Sequence, residues 1–352
     1  MNIHARWQRA HGPSLGQARL KVEIDDFIVD EDLGFAPDGE GEHLLIQVEK
    51  TGMSSFALID ALAQRCQVPV QSIGYAGLKD RWARTRQWLS IHLPGRDAPE
   101  ELDGEGWRVL ARHRHLRKLP RGSHRANRFR IRLRDVDLDE LQLQARLQSL
   151  RDLGVPNYFG EQRFGRERQN IELGLAMLGR WQRLRTRRLP RREAMWLSAL
   201  RSAWFNKVLS ARVAQGSWNQ CLDGDVLMLD GRQSFFHPQA EDAAIVARLA
   251  ALDVHPSGPL PGRGKPVVNA QVAALEAVVL AEDSEAIAVV AQLLEHDRRA
   301  LRLRVQNLQH ERCGDDLCLS FELGRGAYAT VVLQEIVDLV EGDHHGQEEG
   351  GE

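Results

Sequence analysis

The sequence predicts an α+β fold in more than one domain, and three observations carry that expectation. Segments in which apolar and polar residues alternate lie towards the two ends of the chain. A long middle stretch instead repeats its apolar residues every three or four positions, and 352 residues exceed what one typical core organises. The alternating segments look antiparallel rather than like βαβ crossovers.

Leu20 to Asp30 alternates around Val22, Ile24, Phe27 and Val29 and reads as a strand with a kink near Asp25 and Asp26. Gly39 to Glu42 is a turn and His43 to Val48 a second strand. Thr51, Ser54 and Ser55 supply caps for a helix over Phe56 to Arg65. Trp88 to Leu93 is a strand, and Phe129 to Leu133 alternates Phe and Ile with Arg, giving one apolar and one cationic edge. Leu138 to Leu153 is helical and stops at Gly154-Val155-Pro156. From Asn157 to about Asp297 helices dominate, interrupted by a hairpin-like section, Asp223 to Phe236. Arg192 to Gly216 is the clearest helix, with Trp196, Leu200, Trp204 and Val208 as a core stripe. Pro256 to Pro266 is expected to be a loop, followed by helices over Gln271 to Leu280 and Asp283 to Leu294. Ala300 to Leu308 and Leu317 to Leu323 are expected to pair as strands, Tyr328 to Leu339 to close the fold as a helix, and Gly342 to Glu352 to be a disordered tail.

Composition narrows the function classes. With 43% hydrophobic and 27% charged residues the chain is of the soluble globular type. No apolar run suits a secretory signal or a membrane span, so a cytoplasmic location is expected. Cys66, Cys221, Cys313 and Cys318 fit neither a zinc knuckle nor a redox pair, and no structural metal is expected. The formal net charge is -2, but charge is segregated. Basic residues recur from Arg108 to Arg134 and from Arg180 to Arg192, while acidic residues concentrate elsewhere. Such segregation suits a phosphate-binding face. It equally suits a solvated charged surface.

Two segments stand out chemically. Gly74-Tyr75-Ala76-Gly77-Leu78-Lys79-Asp80-Arg81 sets one carboxylate in a glycine-flanked loop between cations that favour its ionised form. An ordinary Asp in a turn has the same local signature, so this stretch alone leaves both readings open. Asn157-Tyr158-Phe159-Gly160-Glu161-Gln162-Arg163-Phe164-Gly165 combines amides, aromatics and Arg in a way that suits stacking on bases and clamping phosphate, or packing a hinge. No convincing nucleophilic Ser or Cys with a partner stands out, and Walker loops, Gly-x-Gly-x-x-Gly dinucleotide loops and metalloenzyme His pairs are absent from the sequence.

Gly77-Leu78-Lys79-Asp80, Val155 to Gly165 and Trp196 to Asn206, in this order, resemble the TruD family of tRNA pseudouridine synthases. The likeness runs from Asp26-Phe27-Ile28-Val29-Asp30-Glu31-Asp32-Leu33-Gly34-Phe35 to Ala327-Tyr328-Ala329-Thr330-Val331-Val332. It implies a pseudouridine synthase catalytic domain with a mixed or antiparallel sheet, formed by residues 1–154 and 302–341 and interrupted by a mainly helical TRUD insertion domain over 155–301. It also implies isomerisation of a tRNA uridine, at position 13, without cofactor or metal. Asp80 is then the nucleophile. Phe27, Asn127 and Tyr328 are substrate-side residues, with Tyr328 standing where the family pattern has Phe. Lys21 is the expected cation for Asp80 and Lys79 its rival. RNA contacts are expected from Arg125, Arg128, Phe129, Asn157, Phe159, Gln162 and Arg163. tRNA is the expected partner and a monomer the expected state. The other reading is an RNA-binding or RNA-folding protein whose catalysis is secondary or lost.

Overall fold

Alternation in the N-terminal part becomes a run of short strands in the computed structural model, which describes residues 7–183, 189–238, 243–264 and 267–341. The chain runs β1 (Gln17–Leu20), β2 (Phe27–Asp32), β3 (His43–Thr51), α1 (Ser55–Cys66), β4 (Ile73–Tyr75), β5 (Arg84–His92), β6 (Trp107–His115) and β7 (Ala126–Arg134). The kink between β1 and β2 is a 3-10 turn over Ile24–Asp26. Buried Asp26 fixes it by accepting from the Glu23 N–H at 2.8 Å while Arg134 holds its other oxygen at 2.7 Å. Helix α1 starts where the Ser54 hydroxyl accepts from the Ala57 N–H at 3.1 Å. It ends at Gln67 with a left-handed φ of 52°.

The chain continues with α2 (Glu140–Leu153), β8 (Val155–Pro156), α3 (Gln169–Trp181), α4 (Arg191–Ala214), β9 (Leu227–Leu229), β10 (Phe235–Phe236), α5 (Ala243–Ala250) and β11 (Val254–Leu260). Then follow α6 (Ala270–Val279), α7 (Ser284–Val290), β12 (Asp297–Ala300), β13 (Arg302–Leu303), β14 (Gln306–Cys313), β15 (Asp316–Gly324), α8 (Ala329–Gln334) and β16 (Asp338–Glu341).

Three sequence expectations are corrected here. Part of the Pro/Gly-rich stretch from Pro256 is strand β11, not loop. Residues 254–256 pair with β9 and residues 257–260 with β12, so neither half is bonded on both sides and each proline's missing N–H is tolerated. The strand expected from Ala300 is broken instead into separate pieces, β12, β13 and β14. The expected closing helix stops at Gln334, and the chain re-enters the sheet as β16, parallel to β1. The tail, and Arg185, Arg187 and Arg188 of the second basic run, lie outside the described residues.

The chain divides into two compact units. The first, the sheet unit, comprises residues 15–142, 306–326 and the stretch from Val337. Its ten-stranded sheet has the order β14-β15-β7-β2-β5-β3-β6, with β1 bonded to β7 and β16, and β4 to β5. It is mixed, with β2–β5 and β1–β16 parallel and the other pairs antiparallel. Helix α1 buries Leu58, Ile59 and Leu62 against Leu44, Ile46, Val48, Leu89 and Ile91.

The period of two on β7 sorts its residues strictly. Phe129, Ile131 and Leu133 are buried, while Arg128, Arg130, Arg132 and Arg134 reach the opposite face. There the arginines meet carboxylates. Arg125 and Arg128 share Asp32 at 2.5 and 2.6 Å, Arg86 and Arg108 share Glu49 at 2.9 and 2.8 Å, and Arg132 reaches Asp316 at 2.6 Å. Much of the basic run is therefore half of an ionic lattice rather than an uncompensated positive face.

The second, helix-rich unit comprises residues 1–14, 143–305 and 327–336. Its core joins Phe164, Ile171, Trp181, Leu197, Leu200, Trp204, Val208 and Val290, and of the expected stripe of α4 Trp196 is only partly buried against it. A four-stranded sheet, β10-β9-β11-β12, accompanies the helices. This unit takes in residues from both chain ends because buried Glu335 accepts from the N–H groups of Ala10 and His11 at 3.1 and 3.2 Å. Arg146 ties the same corner by donating to the carbonyls of Glu335 and Pro13.

Candidate active site

The loop between β4 and β5, residues 76–83, has no regular structure, and side chains fix its course. The Lys79 N–H donates to Ser55 Oγ at 2.8 Å, and Ser55 in turn donates to Gln87 Oε1 at 3.0 Å. Beneath the loop, Lys50 on β3 is fully buried and donates from Nζ to the Asp80 carbonyl at 2.6 Å. Burial pushes the Lys50 ammonium down to about 8. Gly74 and Gly77, expected to supply a tight turn, do not adopt left-handed φ. Gly74 instead permits close packing: a Cβ there would sit 2.6 Å from both the Leu119 carbonyl oxygen and Ser90 Oγ.

The Asp80 side chain is 34% exposed and pairs with Lys21 Nζ at 2.8 Å. Lys21 follows β1 directly, in a left-handed conformation with φ of 58°. That conformation is costly for a residue with a Cβ and is kept where the surroundings determine it. Here the Trp82 indole N–H donates to the Lys21 carbonyl at 3.2 Å, so residues 80 and 82 grip one lysine from both ends. The ammonium also lies 4.5 Å from the centroid of the Phe27 ring. Phe27 itself is buried, edge-on to Phe129.

The rival lysine is committed elsewhere. Lys79 forms an ion pair with Glu31, and both side chains are nearly closed to solvent, at 6% and 0% exposure. Glu31 also accepts from the Trp88 N–H at 3.0 Å. Near that pair, the Asn127 amide donates to His124 Nε2 at 3.3 Å, and burial lowers the pKa of His124. Asn127 Oδ1 is buried without a hydrogen-bond partner among the described residues. Arg81 donates to the Gly52 carbonyl at 3.4 Å.

The remaining sequence candidates divide. Phe129 is 7% exposed and stacks on Phe321, so it is a core side chain and not an open platform for bases. Arg125 and Arg128 are bound to Asp32 in the lattice. Asn157, Phe159, Gln162, Arg163 and Tyr328 all belong to the helix-rich unit. Asn157 is buried there as a brace, donating to the Ala300 carbonyl at 2.8 Å and accepting from Arg299 at 2.6 Å. Gln162 is exposed.

Phe159 and Tyr328 meet edge-on at 6.3 Å between centroids, and Gly160 makes room, since a Cβ there would lie 3.0 Å from Tyr328 Cδ1. Asn206 brackets Phe159 by accepting from its N–H at 2.9 Å and donating to its carbonyl at 3.0 Å. The Arg299 guanidinium lies 4.2 Å from the Phe159 ring centroid, and burial pushes its pKa down to about 10. Arg163 is held by the hydroxyls of Ser198 and Ser202.

Sequence reasoning missed Lys50, Glu31, Ser55, Asn206 and Arg299 as members of these clusters. The signal available for Lys50 was a single cation in an otherwise apolar strand position facing α1. Among the described residues, no group of three or more His, Cys, Asp or Glu is arranged to hold a metal ion. No helix among them is long and apolar enough to cross a membrane. The four cysteines are free.

The fold and site together define a mixed-sheet α+β protein whose β4–β5 loop presents a partly exposed carboxylate paired with a lysine. Comparison with known proteins makes the assignment specific. The family model described as tRNA pseudouridine synthase D (TruD) matches residues 10–183 and 186–336, so the chain belongs to the TruD family. It is 43% identical over 339 residues to a tRNA pseudouridine synthase D from Chromohalobacter salexigens, covering 94% of this chain and 96% of the relative. It is 45% identical over 339 residues to one from Pseudomonas putida, covering 94% of each. The crystal structure of a TruD-type protein from Methanosarcina mazei shares the fold, with a TM-score of 0.71 at 22% identity and coverage of 92% and 94%.

Proposed function

We propose that this chain isomerises a uridine of tRNA to pseudouridine, at position 13, with Asp80 as the nucleophile. The observation that carries the reading is the Lys21–Asp80 pair, a partly exposed carboxylate held by a cation at 2.8 Å. Membership of a family whose relatives are named for this activity supports it.

In this reading the target uridine leaves its stack to reach the loop. The ionised Asp80 attacks the nucleoside at C1′ or C6, and the N1–C1′ bond breaks. The uracil turns in place and C5 bonds to C1′; the bond to Asp80 breaks and frees its carboxylate, and the C5 proton is lost while N1 ends protonated. Lys21 orients the Asp80 carboxylate through their 2.8 Å pair. Asn127 Oδ1, an acceptor lacking a partner, suits the uracil N3–H. Phe27 acts indirectly by seating Lys21, and Lys79 by anchoring the loop through Glu31. Tyr328, Phe159, Gln162 and Arg163 are assigned to RNA, whereas Phe129 and Asn157 are assigned to the scaffold. The catalytic chemistry belongs to residues 1–154 with 302–341, and 155–301 is the TRUD insertion. The reading places the chain in the cytoplasm with tRNA, acting as a monomer.

The test is carbodiimide primer extension on a tRNA transcript carrying U13, after incubation with wild type or Asp80→Asn. A stop at U13 with wild type alone is expected. Absence of a stop with wild type, on a transcript shown to bind, would move the chain to the RNA-binding reading.

A further inference from the structure

The cations of the basic run are not equivalent. Those on β6 and β7 largely face carboxylates, but the loop between these strands is different. Among the described residues, Arg117, Lys118 and Arg121 have no carboxylate within ion-pair distance, and neither does Arg325, which follows β15. Lys118 donates to the Gln71 carbonyl and Arg325 to the Gly122 carbonyl, the latter at 3.0 Å. Arg121 lies 5.1 Å over the Tyr75 ring. Asp38 is engaged by His115 at 2.6 Å and by the Leu116 N–H at 3.0 Å.

This loop is built onto the base of the Asp80 loop. The Gly122 N–H donates to the Ala76 carbonyl at 2.7 Å, the Leu119 N–H donates to Ser90 Oγ at 2.8 Å, and Gly74 lets the Leu119 carbonyl come close. Four uncompensated positive charges and an aromatic face thus flank the nucleophile's loop within the same unit. A phosphate approaching them meets no competing carboxylate, whereas one approaching Arg108 or Arg132 must compete with a carboxylate already in place.

We infer that Arg117, Lys118, Arg121 and Arg325 form the surface that grips the phosphates of the RNA strand beside the target uridine, and that the arginines of the β6–β7 lattice do not. This inference rests on the proposed RNA-modifying function and adds where the strand lies on the sheet unit.

The experiment measures tRNA binding by the full chain across a salt series, for wild type, for Arg121→Gln with Arg325→Gln, and for Arg108→Gln with Arg132→Gln. The first pair is expected to flatten the slope of log K against log salt by about 0.7 for each phosphate that the protein no longer neutralises. It should also weaken binding roughly tenfold at low salt, while Arg121→Lys with Arg325→Lys keeps the wild-type slope. The lattice pair is expected to leave the slope unchanged. An unchanged slope in the first pair, or an equal loss in the lattice pair, overturns the inference, with folding of each variant checked by circular dichroism. Pseudouridine formation by wild type is scored on the same preparations. Normal binding without product refutes the proposed function, while product with an unaltered slope in the first pair refutes only this surface.

Discussion

Replacing Lys50 with Met should slow the reaction while leaving the protein as stable as before, or more so. At neutral pH the buried ammonium is costly, because a pKa pushed down to about 8 corresponds to about 3 kcal/mol against the charged form. Its hydrogen bond to the Asp80 carbonyl returns about 2 kcal/mol, the range for a bond from a charged donor. Met fills similar space without the charge, so the balance near pH 7 lies within about 1–2 kcal/mol of zero and favours the variant. The pH dependence gives the sign. A lysine whose folded-state pKa lies below its unfolded value binds protons less readily when folded, so its cost is fully present below pH 8 and fades as pH rises towards 10.5. Wild type should therefore gain on Lys50→Met by about 3 kcal/mol between pH 7 and 10.5. Urea unfolding at both pH values measures this, and steady-state kinetics on tRNA measures the rest. We expect kcat to fall roughly 10–100-fold with KM little changed, since the bond positions Asp80, the proposed nucleophile, without touching substrate. A variant that is several kcal/mol less stable at pH 7, by a margin independent of pH, would show that Lys50 acts as an ordinary structural cation and would refute the reasoning.

Three further outcomes follow from the same geometry. Lys21→Met removes the ammonium that holds the Asp80 carboxylate at 2.8 Å, so kcat should fall roughly 10–100-fold with KM little changed; an unchanged kcat would mean that Lys21 does not position Asp80. Glu31→Gln leaves the nearly buried Lys79 ammonium without its counter-charge and should cost about 3 kcal/mol, read as a lowered thermal midpoint that Lys79→Met in the same chain partly restores. Gly160→Ala suits the local backbone, at φ of -69°, but sets a Cβ 3.0 Å from the Tyr328 ring. It should lower stability by no more than about 1–2 kcal/mol while weakening tRNA binding or turnover, and full activity would remove Tyr328 from the site.

Several features were legible in the sequence because they are local. The period of two on β7, the Ser54 cap of α1, the Trp and Leu stripe of α4 and the turn at Asp25 and Asp26 each follow from residues within one or two turns of one another. The loop that carries Asp80 was legible as a motif, and the ordered motifs along the chain pointed to the TruD family. What the tertiary structure decided was which charges meet. Lys79 is adjacent to Asp80 in sequence yet turns to Glu31, while Lys21, 59 positions away, becomes the partner because β1 ends in a left-handed turn beside Phe27. Likewise, no local pattern separates Arg121 from Arg132. One sits on a loop packed against β4, and the other sits opposite Asp316 in a register fixed by the pairing of β7 with β15. Strand pairing and loop packing bring distant residues within a few ångströms, where Coulomb energy and desolvation select the partner, and this selection is invisible to spacing along the chain.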